Sequence, residues 1–135
     1  MKQFLFSILL LLSISLNAQI DKVIPPRPVP ARLVNDFTNT LSPGQQNELE
    51  QKLVAYDDST SNQIAVVIIN SLQDYQDYPL EEFSLGILRK WGVGNKKNNN
   101  GIVILVAKND RKVRIETFLS ESLPASYRKQ LAAVL

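Results

Sequence analysis

The side chains able to do chemistry in this chain of 135 residues are nearly all oxygen donors. It contains no His and no Cys, which excludes Ser-His-Asp and Cys-His nucleophilic systems along with ordinary zinc sites. Asp36, Asp74, Asp77, Asn99, Asn100, Asp110 and Glu116 offer carboxylates and amide oxygens that suit a hard cation such as calcium, provided that the fold brings part of the set to one edge of a sheet. Taken singly, each of them reads first as a solvated loop polar group. Asp110-Arg111 also reads as a hairpin turn, and Arg114 with Glu116 as the exposed side of an edge strand. Gly92-Val93-Gly94 opens like a dinucleotide fingerprint, but Lys97 stands at the third glycine position and the segment runs from helix to strand. No nucleotide cofactor is expected, and neither a Walker loop nor EF-hand spacing occurs.

The stretch from Trp91 to Gly101 carries three glycines and the polar tract Asn95-Lys96-Lys97-Asn98-Asn99-Asn100. It reads as a surface loop between a helix and a buried strand. The glycines allow backbone angles closed to other residues, and the Asn/Lys tract cannot be buried cheaply. It is expected to sit in water or around a ligand, with the activity of the protein near it.

The flanking segments supply the elements that must hold these groups. Val34-Asn35-Asp36-Phe37-Thr38 is an extended entry in which Val34 and Phe37 are expected to pack. Ser42, Pro43 and Gln45 specify a helix start, through a Ser-x-x-Gln capping box and a proline at the first helical position. Leu49, Leu53 and Tyr56 then form one apolar stripe, read as core. Gln63 to Asn70 is an unbroken β-branched run, as in a strand covered on both faces. After a polar loop from Gln73 to Tyr78, a second helix opens at Pro79, with Leu80, Phe83, Ile87, Leu88 and Trp91 on one side, and stops at Gly92 and Gly94. Ile102 to Ala107 is a second buried strand. Lys108-Asn109-Asp110-Arg111 is a turn, and Val113 to Glu116 returns as a strand, giving a hairpin. Arg114 and Glu116 on one face of it are expected to meet solvent or the Asn-rich loop. Leu119 to Leu135, with Pro124 as an opener, reads as a truncated helix.

Residues 1–18 have a charged start at Lys2, an apolar run from Phe4 to Leu16 and a small Ala18. They read as a Sec-type signal peptide cut after Ala18, because the run is shorter than the roughly 20 residues of a spanning helix. The alternative is a retained membrane anchor. No Cys follows, so lipoprotein acylation is excluded. Residues 19–33 include four prolines between Ile24 and Pro30 and read as a polyproline linker. Residues 34–135 make one domain. The formal charge of +2 includes Lys2, so no basic field for nucleic acid is available. The mature chain is expected to carry no transmembrane helix and to reside in the periplasm or outside the cell.

The order Val34-x-Asp36, Leu41-Ser42, Leu49-Glu50, Gln63-Ile64-x-Val66-Val67, Ser71-Leu72, Trp91-Gly92-x-Gly94, Asn100-Gly101, Asp110-Arg111 and Arg114-Ile115-Glu116 resembles the TPM domain family, widespread in bacterial envelopes. The resemblance implies a three-layer α/β/α sandwich with a mixed central sheet, in agreement with the two buried runs and the amphipathic helices. It implies Asp36, Asn100, Asp110 and Glu116 as metal or polar site groups, and Arg111 and Arg114 as anion contacts. It also implies a range of functions: assembly or repair of membrane complexes, calcium binding, and weak acid phosphatase activity. The family's glycine-rich segment after the Arg-Ile-Glu strand is replaced here by Thr117-Phe118-Leu119-Ser120-Glu121-Ser122-Leu123, so the C-terminal part reads as truncated or altered after Glu116.

Two functions are consistent with these features. The first is an exported, non-enzymatic module that binds or helps assemble a protein partner in the cell envelope, with calcium as its candidate ligand. The alternative is a divalent-cation-dependent acid phosphatase of low activity, since a metal and arginines can stabilise a transferring phosphoryl group without His or Cys.

Overall fold

A computed structural model describes residues 20–94 and 100–118. After a helical turn at residues 20–23, the order is β1 (Val34–Asp36), α1 (Pro43–Thr60), β2 (Gln63–Ile69), a 3-10 helix (Leu72–Tyr75), α2 (Leu80–Lys90), β3 (Gly101–Ala107) and β4 (Lys112–Thr117). The strands form one open sheet in the order β1-β2-β3-β4. β1, β2 and β3 run parallel, and β4 is antiparallel to β3. This is the mixed α/β arrangement that the sequence predicts.

The sheet owes its core to the period of two along each strand. Ala65, Val67 and Ile69 of β2 and Val103, Leu105 and Ala107 of β3 line one face, where Phe83, Ile87 and Leu88 of α2 close over them together with Trp91 and Val93. Fully burying side chains of this size stabilises by about 1.5–3 kcal/mol each, so this face holds most of the apolar stabilisation. On the second face α1 packs against β1 and β2, and Val34, Val66 and Ile68 are buried.

α1 begins as its sequence dictates. Gln45 N–H donates to Ser42 Oγ at 3.2 Å and Ser42 N–H donates to Gln45 Oε1 at 2.9 Å, completing the capping box with Pro43 at the first helical position. Its stripe is not core, however: no residue of α1 is fully buried, Leu49 and Leu53 are half-buried, and Tyr56 is exposed. α1 is instead tied down by a charge. Glu50 accepts from Leu33 N–H (3.0 Å) and Val34 N–H (2.7 Å), which satisfies backbone donors at the entry to β1. α2 ends in a Schellman motif: Gly92, at φ 59°, donates to Arg89 O at 3.2 Å, and Val93 N–H donates to Leu88 O at 3.2 Å, which satisfies the last carbonyls of the helix.

The proline-rich segment packs against the domain. Ile24 is buried in the core, Trp91 Nε1–H donates to Pro25 O at 2.8 Å, and Arg27 Nη1 donates to Trp91 O at 2.9 Å. Lys90 Nζ donates to Ile24 O at 2.8 Å and also to Asp21 O. Residues 20–33 are therefore a docked strap over the end of α2 rather than a free spacer. No helix among the described residues is long and apolar enough to cross a membrane. Residues 1–18, expected to be a signal peptide, the Asn/Lys tract at 95–99 and residues 119–135, expected to be helical, lie outside the described residues.

Candidate functional site

In open α/β sheets ligands bind outside the carboxyl ends of the parallel strands. Here that edge is built from three loops. After β1 the chain turns through Asp36 to Leu41. After β2 come Asn70, Ser71 and the 3-10 helix. After β3 comes the Lys108–Arg111 turn, which stays in register with β2 because Lys108 N–H donates to Ile69 O at 2.9 Å and Asn109 N–H donates to Asn70 O at 2.7 Å.

Each of the outer two loops is organised by one aspartate. Asp36 Oδ1 accepts from Thr38 N–H at 2.9 Å and from Thr38 Oγ1–H at 2.7 Å, while Oδ2 accepts from Leu41 N–H at 2.7 Å. The carboxylate closes a loop of five residues and leads the chain into the α1 cap. Partial burial pushes the Asp36 carboxyl up, but the hydrogen bonds from Leu41 N–H and from Thr38 outweigh it and hold the group below its ordinary range. Asp110 does the same across the sheet. Its Oδ2 accepts from Leu72 N–H at 2.7 Å and its Oδ1 from Ser71 Oγ–H at 2.8 Å. These bonds cap the 3-10 helix and lower the carboxyl. Ser71 Oγ in turn accepts from Gln73 N–H at 3.1 Å. A cleft of about 270 Å³ lies beside this point, lined in part by Leu72, Asp77, Pro79, Asp110 and Lys112. Arg111, in the left-handed region at φ 53°, is exposed at the tip of the turn.

The other candidates lie at the opposite end of the sheet. The register pairs Gln63 with Gly101 and Val103 with Glu116, whereas Ile68 pairs with Asp36 and with Val106. Asn100 sits at the entry to β3, where its carbonyl accepts from Gln63 N–H at 3.1 Å and its side-chain amide donates to Ser61 O. Glu116 is buried: Arg114 Nε donates to its Oε2 at 3.1 Å and Ser84 Oγ–H donates to the same oxygen at 3.2 Å. Arg114 also reaches Glu81 at 3.3 Å. The polar face of β4 is thus turned inward beneath α2. The Arg114 guanidinium is held between two carboxylates, whereas Arg111 is exposed at the carboxyl edge, where it could contact an anion, with Lys108 and Lys112 beside it.

Of the four groups Asp36, Asn100, Asp110 and Glu116, then, the fold brings Asp36 and Asp110 to one edge and sets Asn100 and Glu116 at the other. Among the described residues no three His, Cys, Asp or Glu side chains cluster as a metal group would. Asp74 and Asp77 lie in and just after the 3-10 helix. The sequence reading overlooked Ser71, Thr38 and Glu50 as anchoring groups. The signal for Ser71 was a hydroxyl residue just past a strand, where such a side chain bonds backbone two residues on, as it does with Gln73 N–H.

The topology and this acidic, loop-anchored edge define an open mixed α/β domain with its candidate site at the strand carboxyl ends. The family model named TPM phosphatase, described as a TPM domain, matches residues 34–132; the chain belongs to the TPM domain family. A solution NMR structure of the N-terminal domain of a protein from P. gingivalis is similar at 38% identity and a TM-score of 0.55, over 75% of this chain. The similarity spans 58% of that domain's length. No curated protein matches.

Proposed function

We propose that this chain is an exported, non-enzymatic binding module that engages a protein partner in the cell envelope through the carboxyl edge of its sheet. The observation that carries this reading is the commitment of Asp36 and Asp110. Both oxygens of each carboxylate accept bonds from loop backbone or hydroxyl groups, and both carboxyls are lowered. A good general base has a pKa near the working pH, so these two aspartates suit loop clamps better than catalysts. The loops they fix present Asn39, Thr40, Gln73, Asn109 and Arg111 to solvent, a rigid polar surface for recognition. Export rests on the signal-peptide pattern of residues 1–18. Capture from envelope extract tests the reading: the wild-type chain should enrich a partner that an Asn109→Asp, Arg111→Glu variant of unchanged stability does not. Recovery of nothing above background counts against it.

Calcium is the candidate ligand of the same edge. Each carboxylate oxygen keeps lone pairs beyond the bonds it accepts, so Asp36 and Asp110 can still serve a hard cation. A ligand bound only to the folded state raises stability by ~2.7 kcal/mol at a hundredfold excess over its dissociation constant. A melt in calcium against chelator should show a rise of that order, lost in Asp36→Ala; an unmoved melt removes the cation and leaves partner binding alone.

The name of the matching family model favours a second reading, a divalent-cation-dependent phosphatase. Asp36, Asp110 and Arg111 would be its groups. It requires hydrolysis that is abolished by chelator and by either Asp36→Ala or Asp110→Ala; activity surviving both belongs to a contaminant.

A further inference from the structure

Asn100-Gly101 is the only Asn-Gly step in the sequence. A glycine after an asparagine leaves the next backbone nitrogen with no Cβ to shield it, so that nitrogen can attack the asparagine's own carboxamide carbon. The fold surrounds this step with restraints. The Asn100 carbonyl accepts from Gln63 N–H at 3.1 Å, and its side-chain amide donates to Ser61 O. Gly101 is buried and opens β3 in register with Gln63. Its nitrogen lies 2.3 Å from where a Cβ on Gly94 would stand, so the neck is closed over it. Gly94 N–H in turn donates to Gln63 Oε1 at 3.0 Å, and Gln63 Nε2 donates to Asp57 Oδ2 at 3.1 Å.

We propose that Asn100 is a latent deamidation site, held shut by the closed neck at the amino end of β3. The reaction forms a bond from Gly101 N to Asn100 Cγ and breaks the Cγ–Nδ2 bond, and the Gly101 amide proton leaves with the Nδ2 group as ammonia. Water then opens the resulting succinimide to aspartate or isoaspartate. Ring closure needs Asn100 Nδ2 to let go of Ser61 O and the peptide at residue 100 to turn out of its bond with Gln63. It therefore proceeds from a locally opened state, not from the closed one. Neither product restores the neck. A carboxylate has no proton to donate to Ser61 O and faces it as one acceptor against another, and isoaspartate adds a backbone carbon at the entry to β3. The modification is thus one-way: a chain that opens and reacts stays loosened at this end, while Asp36 and Asp110 lie at the other end of the sheet.

The test is to incubate the purified chain at mildly alkaline pH, with and without concentrated urea, and to follow the mass gain of an amide-to-carboxylate exchange peptide by peptide. Exchange at Asn100 is expected under both conditions, at least about tenfold slower without urea. Gln63→Ala, which removes the acceptor of Gly94 N–H, should speed the reaction in the folded chain and leave the rate in urea unchanged. Equal wild-type rates with and without urea overturn the proposal. So does exchange in the folded chain that begins at another asparagine, or a folded Gln63→Ala that reacts no faster than wild type. Where Gln63→Ala fails to fold, Asn100→Asp serves as the product: it should melt below wild type, with faster hydrogen exchange at the Gln63 amide. A melt and an exchange rate both unchanged there overturn the claim that the product loosens the neck.

Discussion

At the scale of single residues, the two aspartates of the carboxyl edge decide the behaviour of the site. Asp36 satisfies two backbone N–H groups and a hydroxyl; Asp36→Ala leaves these donors without their partner and should cost about 1–3 kcal/mol in denaturant unfolding. The lowered carboxyls of Asp36 and Asp110 also set a pH dependence. Because the folded values lie below the unfolded ones, their contribution is complete above the unfolded carboxyl value of about 3.9 and is lost as pH falls through the folded values. Unfolding midpoints should fall between about pH 5 and pH 2, and less steeply in Asp36→Asn with Asp110→Asn; an unchanged acid slope in that variant would contradict the assignment. At the other end of the sheet Glu116 is a structural anion. Glu116→Ala leaves a mostly buried Arg114 with only the exposed Glu81 facing it and should cost about 3 kcal/mol, whereas Glu116→Gln, which keeps the shape, should cost less. Alternation in the sequence marked β4 as two-faced but could not say which face is inside. A buried carboxylate bonded to an arginine and a serine won over Val113 and Ile115, and nothing local in the sequence signals that.

At the scale of elements, the chain is legible wherever local chemistry alone fixes the backbone. Ser42, Pro43 and Gln45 start α1 as their side chains require, and Gly92 ends α2 by taking the left-handed angle that the Schellman motif needs. β2 is central because its β-branched run tolerates no water on either face. In the proline-rich stretch, prolines dictate extended backbone without saying whether it is free or docked; Ile24, an apolar residue beside them, is the local sign that it packs. Two tests follow. Trp91→Phe removes the Nε1 donor to Pro25 O and should cost about 1 kcal/mol, with faster hydrogen exchange at the Ile24 amide; exchange unchanged at Ile24 would mean that the strap is held elsewhere. Gly101 closes the neck of the Asn/Lys loop against Val93, where an added Cβ would stand 2.0 Å from Val93 O. That neighbour is backbone and cannot swing away, so Gly101→Ala should destabilise by about 3 kcal/mol; a melt within error of wild type would contradict this packing.

At the scale of the whole molecule, the sheet separates what the sequence could only list together. Asp36, Asn100, Asp110 and Glu116 are equally available on paper, but strand register sends two to each end, and register is a property of long-range pairing that no single stretch carries. The loop from Trp91 to Gly101, expected to lie near the activity, opens at the amino end of β3, while Asp36 and Asp110-Arg111 lie in separate loops at the carboxyl end, where parallel sheets receive ligands. Among the described residues the first end is consistent with structure and the second with recognition. Asp36 and Asp110 are proposed to act as clamps rather than catalysts, and the most direct test is hydrolysis of a phosphate monoester by the purified chain, in divalent cation and in chelator, beside Asp36→Ala and Asp110→Ala. No hydrolysis that distinguishes wild type from the two variants is the predicted result; chelator-sensitive hydrolysis present in wild type and lost in both variants would contradict it.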